Sequence, residues 1–125
     1  MTERKRILLV DDDATVVSYL TTKLSKLYDV VSTTDPRKAS AMARSELPDV
    51  ILCDIDMPAM SGGEVAAALS TDTMLARIPL IYLTDLVSPQ EAQELQGLVG
   101  GRPGVSKRAP MSELMARINE ASPGL

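Results

Sequence analysis

An α/β fold with a parallel β-sheet is what this chain predicts, and three observations carry it. Short apolar runs without alternation, Ile7–Val10, Val50–Cys53 and Ile78–Leu83, suit strands covered on both faces. Between such runs, apolar residues return at helical spacing. Each run ends at polar residues, Asp11-Asp12-Asp13, Asp54 and Thr84-Asp85 in turn, on the edge where open α/β sheets place their chemistry.

Taken in order, Ile7–Val10 is the first strand, and Val16, Val17, Leu20, Leu24 and Leu27 mark an amphipathic helix from about residue 14 to 27. Tyr28 to Thr33, with Val30-Val31 inside, is a second short strand. Asp35-Pro36 starts a helix, an N-cap acid followed by proline at the first helical position, which runs through Ala39, Met42 and Ala43 and ends before Pro48. The third strand finishes on Asp54, and Met57-Pro58 bars its continuation because proline has no N–H to give a sheet. Gly62-Gly63 loosens the next loop, and Val65 to Leu69 supports an alanine-rich helix. After the fourth strand, Ser88-Pro89-Gln90-Glu91 combines a capping box with a first-turn proline, so a helix to about Leu98 follows. Four glycines lie between positions 97 and 104, and Val105-Ser106-Lys107 makes a fifth strand. Met111, Leu114, Met115 and Ile118 mark the last helix. Five strands alternating with five helices form one domain over residues 1–125.

Composition removes several classes of function. The chain of 125 residues is 45% apolar yet holds no Phe or Trp, so its core is aliphatic; this length buries roughly two-thirds of the unfolded surface. A net charge of -4 without a strong Lys/Arg cluster argues against a nucleic-acid interface. The single cysteine, Cys53, excludes an internal disulfide, fits a reducing compartment and reads as a small core residue. No apolar stretch reaches membrane-spanning length and no signal-peptide core precedes the first strand, so the expected location is cytoplasmic. Histidine is absent, which rules out His nucleophile activation, His bases and His metal ligands. Chemistry therefore falls to carboxylates, hydroxyls and lysine.

Right-handed crossovers bring the C-terminal ends of all parallel strands to one edge, so Asp11, Asp12, Asp54, Thr84 and Lys107 converge. Carboxylates 4 Å apart repel by roughly 4 kcal/mol per pair at a surface-like dielectric. A hard cation such as Mg²⁺ offsets that repulsion. A carboxylate beside such an ion, with an ammonium and a hydroxyl aimed at the same point, has what phosphoryl transfer to an aspartate needs.

On these residues the chain resembles the response-regulator receiver domains of two-component signalling. The matching set is Asp11-Asp12 after Ile7–Val10, Asp54 with Met57-Pro58 and Gly62 after it, Thr84 after Ile81-Tyr82-Leu83, and Lys107. The resemblance implies a flavodoxin-like five-stranded sheet of order 2-1-3-4-5 with helices on both faces. It implies Asp54 as phosphoacceptor, and Mg²⁺ bound by Asp12, Asp54 and the backbone carbonyl of Asp56, with Asp11 acting through a metal-bound water. Thr84 would contact the phosphoryl group and Lys107 would pair with it. The implied partners are a sensor histidine kinase or phosphotransfer protein upstream and a protein effector or attached output domain downstream, with a homodimer through the fourth and fifth helices and the fifth strand. No direct nucleic-acid or membrane contact is expected, and no catalysis beyond the domain's own phosphorylation and slow dephosphorylation.

Three positions depart from that family's pattern. Arg108 stands where a proline in a cis peptide usually follows the lysine; a cis bond before a non-proline costs about 2.5–4 kcal/mol, so a trans bond or strain is expected and Lys107 could be displaced. Gly104 stands where a switch aromatic is usual and cannot follow Thr84 inward, and Asp85 replaces a small residue. Two other functions compete: a receiver-like module that binds proteins without phosphate, and a haloacid-dehalogenase-type phosphatase using Asp11 and Asp13 of Asp11-x-Asp13-x-Thr15.

Overall fold

The computed structural model describes residues 4–85, 98–99 and 102–123. Its strands are β1 (Arg6–Val10), β2 (Asp29–Thr33), β3 (Val50–Asp54), β4 (Leu80–Thr84), β5 (Leu98–Val99) and β6 (Arg102–Ser106). The helices are α1 (Ala14–Leu24), α2 (Ala39–Glu46), α3 (Gly62–Ser70) and α4 (Met111–Ala121).

Each apolar run is buried on both faces because successive side chains point to opposite sides of the sheet. Ile7, Leu9, Val50, Leu52, Ile81, Leu83 and Val105 pack with Leu20 and Leu24 of α1 and Leu114 and Ile118 of α4. Leu8, Val10, Ile51, Cys53, Leu80 and Tyr82 pack with Ala39 and Ala43 of α2 and Val65, Ala66 and Leu69 of α3. Two aliphatic layers thus enclose a parallel sheet of order β2-β1-β3-β4-β6, the predicted order 2-1-3-4-5.

Several boundaries differ from the sequence expectation. α1 stops at Leu24 rather than near 27, because the N–H groups of Leu27 and Tyr28 both turn back to the Leu24 carbonyl, at 3.0 and 2.9 Å. Leu27 is therefore exposed, while Tyr28 is buried and its hydroxyl donates to Asn119 at 3.1 Å. Asp35 caps as expected, accepting the Arg37 N–H at 3.0 Å, but Pro36–Lys38 is a 3-10 turn that leads into α2. The fifth parallel strand begins at Arg102, ahead of Val105, and ends one residue before Lys107. Leu98 is a strand residue, not a helix end: β5 pairs antiparallel with β6, Leu98 opposite Pro103 and Val99 opposite Arg102. The body of the helix expected from Ser88 lies outside the described residues. No described helix is long and apolar enough to cross a membrane.

Candidate functional site

The C-terminal ends of β1, β3, β4 and β6 meet at one rim. Asp11 leaves β1 wholly buried, its N–H directed at the Thr33 carbonyl at 3.3 Å and its Oδ1 accepting the Asp13 N–H at 2.9 Å. Asp13 in turn accepts the Thr15 N–H at 2.9 Å and so caps the N-terminus of α1. Asp54 is the last residue of β3, buried, with its Oδ1 accepting the Ile55 N–H at 2.9 Å. Thr84 ends β4 and is 1% exposed. Its carbonyl accepts the Lys107 N–H at 3.1 Å, which extends the pairing of Thr84 with Ser106 by one step.

Lys107 reaches inward from there. Its Nζ lies 2.8 Å from Asp11 Oδ2 and 3.1 Å from Asp54 Oδ1. The approach to Asp11 lacks the alignment of a hydrogen bond, so buried Oδ2 is held by charge and keeps an unfilled acceptor direction. The expected trans peptide is present, since no described peptide bond is cis, and the possible displacement of Lys107 does not occur.

A pocket of about 240 Å³ opens over these groups, lined by Asp12, Asp13, Asp54, Asp56, Thr84, Asp85 and Lys107. Oxygens of Asp11, Asp12 and Asp54 all lie within 4.8 Å of one another. Carboxylates gathered this closely could share one hard divalent cation such as Mg²⁺. An all-oxygen donor set with an unfilled buried acceptor fits a hard divalent cation. Asp56 and Asp85, both exposed, also line this pocket.

Electrostatics follow from this crowding. Burial, then the Asp11 charge, pushes the Asp54 carboxyl up to about 6, against the lowering effect of Lys107. Burial works against the Lys107 ammonium, but the two carboxylates beside it, Asp11 and Asp54, outweigh burial and leave its pKa raised. Burial pushes the neighbouring Cys53 thiol up to about 12, as befits a core residue rather than a nucleophile.

The loop after β3 is shaped by Gly62. A Cβ there would run into the Asp54 carbonyl oxygen and lie 2.9 Å from Ile55 Cα, while the Gly62 N–H donates to the Ile55 carbonyl at 2.8 Å. Close backbone approach, not loop flexibility, is what this glycine supplies. Sequence reasoning passed over Ser106, buried beside Thr84, whose Oγ accepts the Arg108 N–H at 3.1 Å. Its only sequence signal is a small hydroxyl residue immediately before the lysine. Gly104 lies beside buried Tyr82 in the sheet, so an aromatic occupies the neighbouring strand, not the position three before Lys107.

Comparison with known proteins agrees with this geometry. Residues 7–119 match the family model of the response regulator receiver domain. Response regulator PleD of Caulobacter vibrioides is 41% identical over 97 residues, which cover 77% of this chain and 21% of PleD; the chain thus spans about a fifth of that relative's length. Among solved structures, the chemotaxis protein CheY4 of Vibrio cholerae aligns with a TM-score of 0.79 and 28% identity, over 94% of this chain and 98% of that one. The receiver domain of a Pseudomonas aeruginosa sensor histidine kinase, with a magnesium ion coordinated in its active-site cleft, aligns with a TM-score of 0.75 and 25% identity, over 97% and 99% of the two chains. With three carboxylates, a buried threonine and an inward lysine on one sheet edge, and a family match from the first strand through most of the last helix, the chain belongs to the response regulator receiver domain family.

Proposed function

We propose that this receiver domain accepts a phosphoryl group on Asp54 in a Mg²⁺-dependent reaction and passes the change to a protein partner. The observation that carries the reading is Lys107, whose ammonium sits 3.1 Å from Asp54 within a rim of ionisable carboxylates. Asp12, Asp54 and the Asp56 backbone carbonyl would hold the ion directly, with Asp11 acting through a water. When bound, the cation neutralises phosphoryl oxygens and keeps the carboxylates ionised together.

The rest falls to the chain's own residues. An Asp54 oxygen forms a bond to phosphorus as the bond to the donor's leaving atom breaks, and that atom departs with its electron pair. Lys107 and Thr84 share the charge of the transferred group through the ammonium and the hydroxyl. No general base is required, because an ionised carboxylate carries no proton to lose. Acidic Asp56 and Asp85, which also line the pocket, oppose an incoming phosphoryl group and set a slower pace for the reaction.

The donor is a histidine kinase or a phosphotransfer protein, and the reader is an attached output domain or a separate effector. The matched segment makes up a fifth of PleD, which supports an arrangement in which receivers of this type serve a larger protein. The reading is tested by incubating the parent and Asp54→Ala with acetyl phosphate, with and without Mg²⁺, and weighing the intact protein. A phosphoryl adduct that needs both Mg²⁺ and Asp54 is expected. If the folded parent stays unmodified while binding its partner, the domain works as a phosphate-independent module.

A further inference from the structure

We infer that Ser106 is a positioning residue for Lys107, holding the turn after β6 so that the ammonium points at Asp54. This rests on the phosphoacceptor reading above and extends it to a residue outside the acid, hydroxyl and lysine set.

Lys107 is the first residue past β6, in a turn where a long side chain has several ways to leave the backbone. Two bonds from Ser106 restrict that turn. The Ser106 carbonyl accepts the Ala109 N–H at 3.0 Å, closing a four-residue turn, and the Ser106 Oγ accepts the Arg108 N–H at 3.1 Å. A serine at the first position of a turn, bonded to the N–H two residues on, is the arrangement a short hydroxyl side chain makes well. On the other side, the Lys107 N–H is fixed to the Thr84 carbonyl at 3.1 Å. The peptide units on both sides of Lys107 are therefore tied, and its Nζ lies at 2.8 and 3.1 Å from Asp11 and Asp54.

Burial makes the hydroxyl count. Ser106 is 5% exposed and paired with Thr84, and its bond to the Arg108 N–H is partly buried, so water replaces the hydroxyl only incompletely as that N–H's partner. Arg108 matters through its backbone N–H alone, its side chain being exposed in the described turn. A residue without an N–H at 108 would leave the hydroxyl nothing to hold.

That dependence supplies the test. Acetyl phosphate with Mg²⁺ is given to the parent, Ser106→Ala, Ser106→Thr, Arg108→Pro and the double variant Ser106→Ala/Arg108→Pro, and the rate of adduct formation on Asp54 is read by intact mass. Ser106→Ala should slow the reaction by about fivefold to tenfold, the worth of one hydrogen bond, and Ser106→Thr should keep the parent rate within about twofold. In the Arg108→Pro background the same alanine change should alter the rate by less than about twofold, because the bond it removes is already gone. An equal loss in both backgrounds, or no loss in Ser106→Ala, overturns the inference. Failure of the parent itself to react would instead count against the phosphoacceptor reading. The Ser106 assignment is then decided by brief acetic anhydride labelling of the parent, Ser106→Ala and Ser106→Thr, read by peptide mass. Lys107 should react several-fold faster, relative to Lys23 and Lys26, in Ser106→Ala alone; unchanged reactivity overturns it.

Discussion

Asp54 occupies a costly place for a charge: it is buried, faces Asp11 and Asp12, and has Lys107 as its one ion-paired cation among the described residues. Its folded pKa of about 6 exceeds the ordinary carboxylate value of 3.8, so the folded metal-free protein holds a proton more tightly there than the unfolded chain. Stability then falls as pH rises across the window between those two values, because the folded state must release a proton the unfolded state has already lost. Urea unfolding in a chelator should show the metal-free parent losing about 1–3 kcal/mol between pH 4 and pH 7 through this group, with other carboxylates superimposed. Asp54→Asn should remove that component and be the more stable protein at pH 7 by a similar amount. Were Asp54→Asn less stable than the parent at pH 7 without metal, the carboxylate would have to be stabilised in the fold, and the crowding argument would be wrong.

At the level of elements, the start of α3 shows how the sequence both speaks and misleads. Ser61 accepts the Glu64 N–H at 3.1 Å and Glu64 accepts the Ser61 N–H at 3.2 Å, a complete capping box legible in Ser-x-x-Glu although Gly62-Gly63 suggests a loosened loop. The two glycines have different reasons. Gly62 lies against the backbone at the exit of β3, whereas a Cβ on Gly63 would meet only Ser61 Oγ at 3.8 Å. Gly62→Ala should therefore destabilise by about 2 kcal/mol or more through backbone overlap, and Gly63→Ala should stabilise by about 0.5 kcal/mol by stiffening a helical position. Thermal unfolding of the two variants separates them, and equal effects would defeat the distinction. Strand positions were legible because unbroken apolar runs mean burial on both faces. The acids and the threonine were legible because a polar residue at such a strand's C-terminal tip has one edge to occupy. The early start of β6 was not, since Pro103 and Gly104 disfavour a strand and are held by pairing with β5 and β4 instead, and β5 is a pair of residues too short to make a pattern. Ser106 was hidden for a related reason: its role depends on a turn whose geometry no local pattern announces.

On the scale of the whole molecule, the rim acts on the sheet that carries it. β1 and β3 are adjacent and paired from Ile7 with Val50 to Val10 with Cys53, and the carboxylates that follow them repel across the end of that pairing. The apolar layers on both faces keep the strands together despite this, and Lys107 spans the two tips by touching Asp11 and Asp54 at once. A divalent cation bound by Asp12 and Asp54 would join the same two strand ends with twice the charge. Because the unfolded chain does not bring these carboxylates together, such binding stabilises the folded state by RT ln(1 + [L]/Kd), about 1.4 kcal/mol at ten times Kd. For a domain of this size that is a rise of roughly 4–8 °C in Tm. Calorimetric scans at pH 7 with increasing MgCl₂ at constant ionic strength should show it in the parent, together with a flatter dependence of Tm on pH, since the bound ion favours the ionised form of Asp54. Asp54→Asn should start from the higher metal-free Tm argued above and gain little from the cation, so the two curves converge as Mg²⁺ rises. An equal rise in both proteins would place the ion away from the β1 and β3 tips and remove the link between metal binding and this rim.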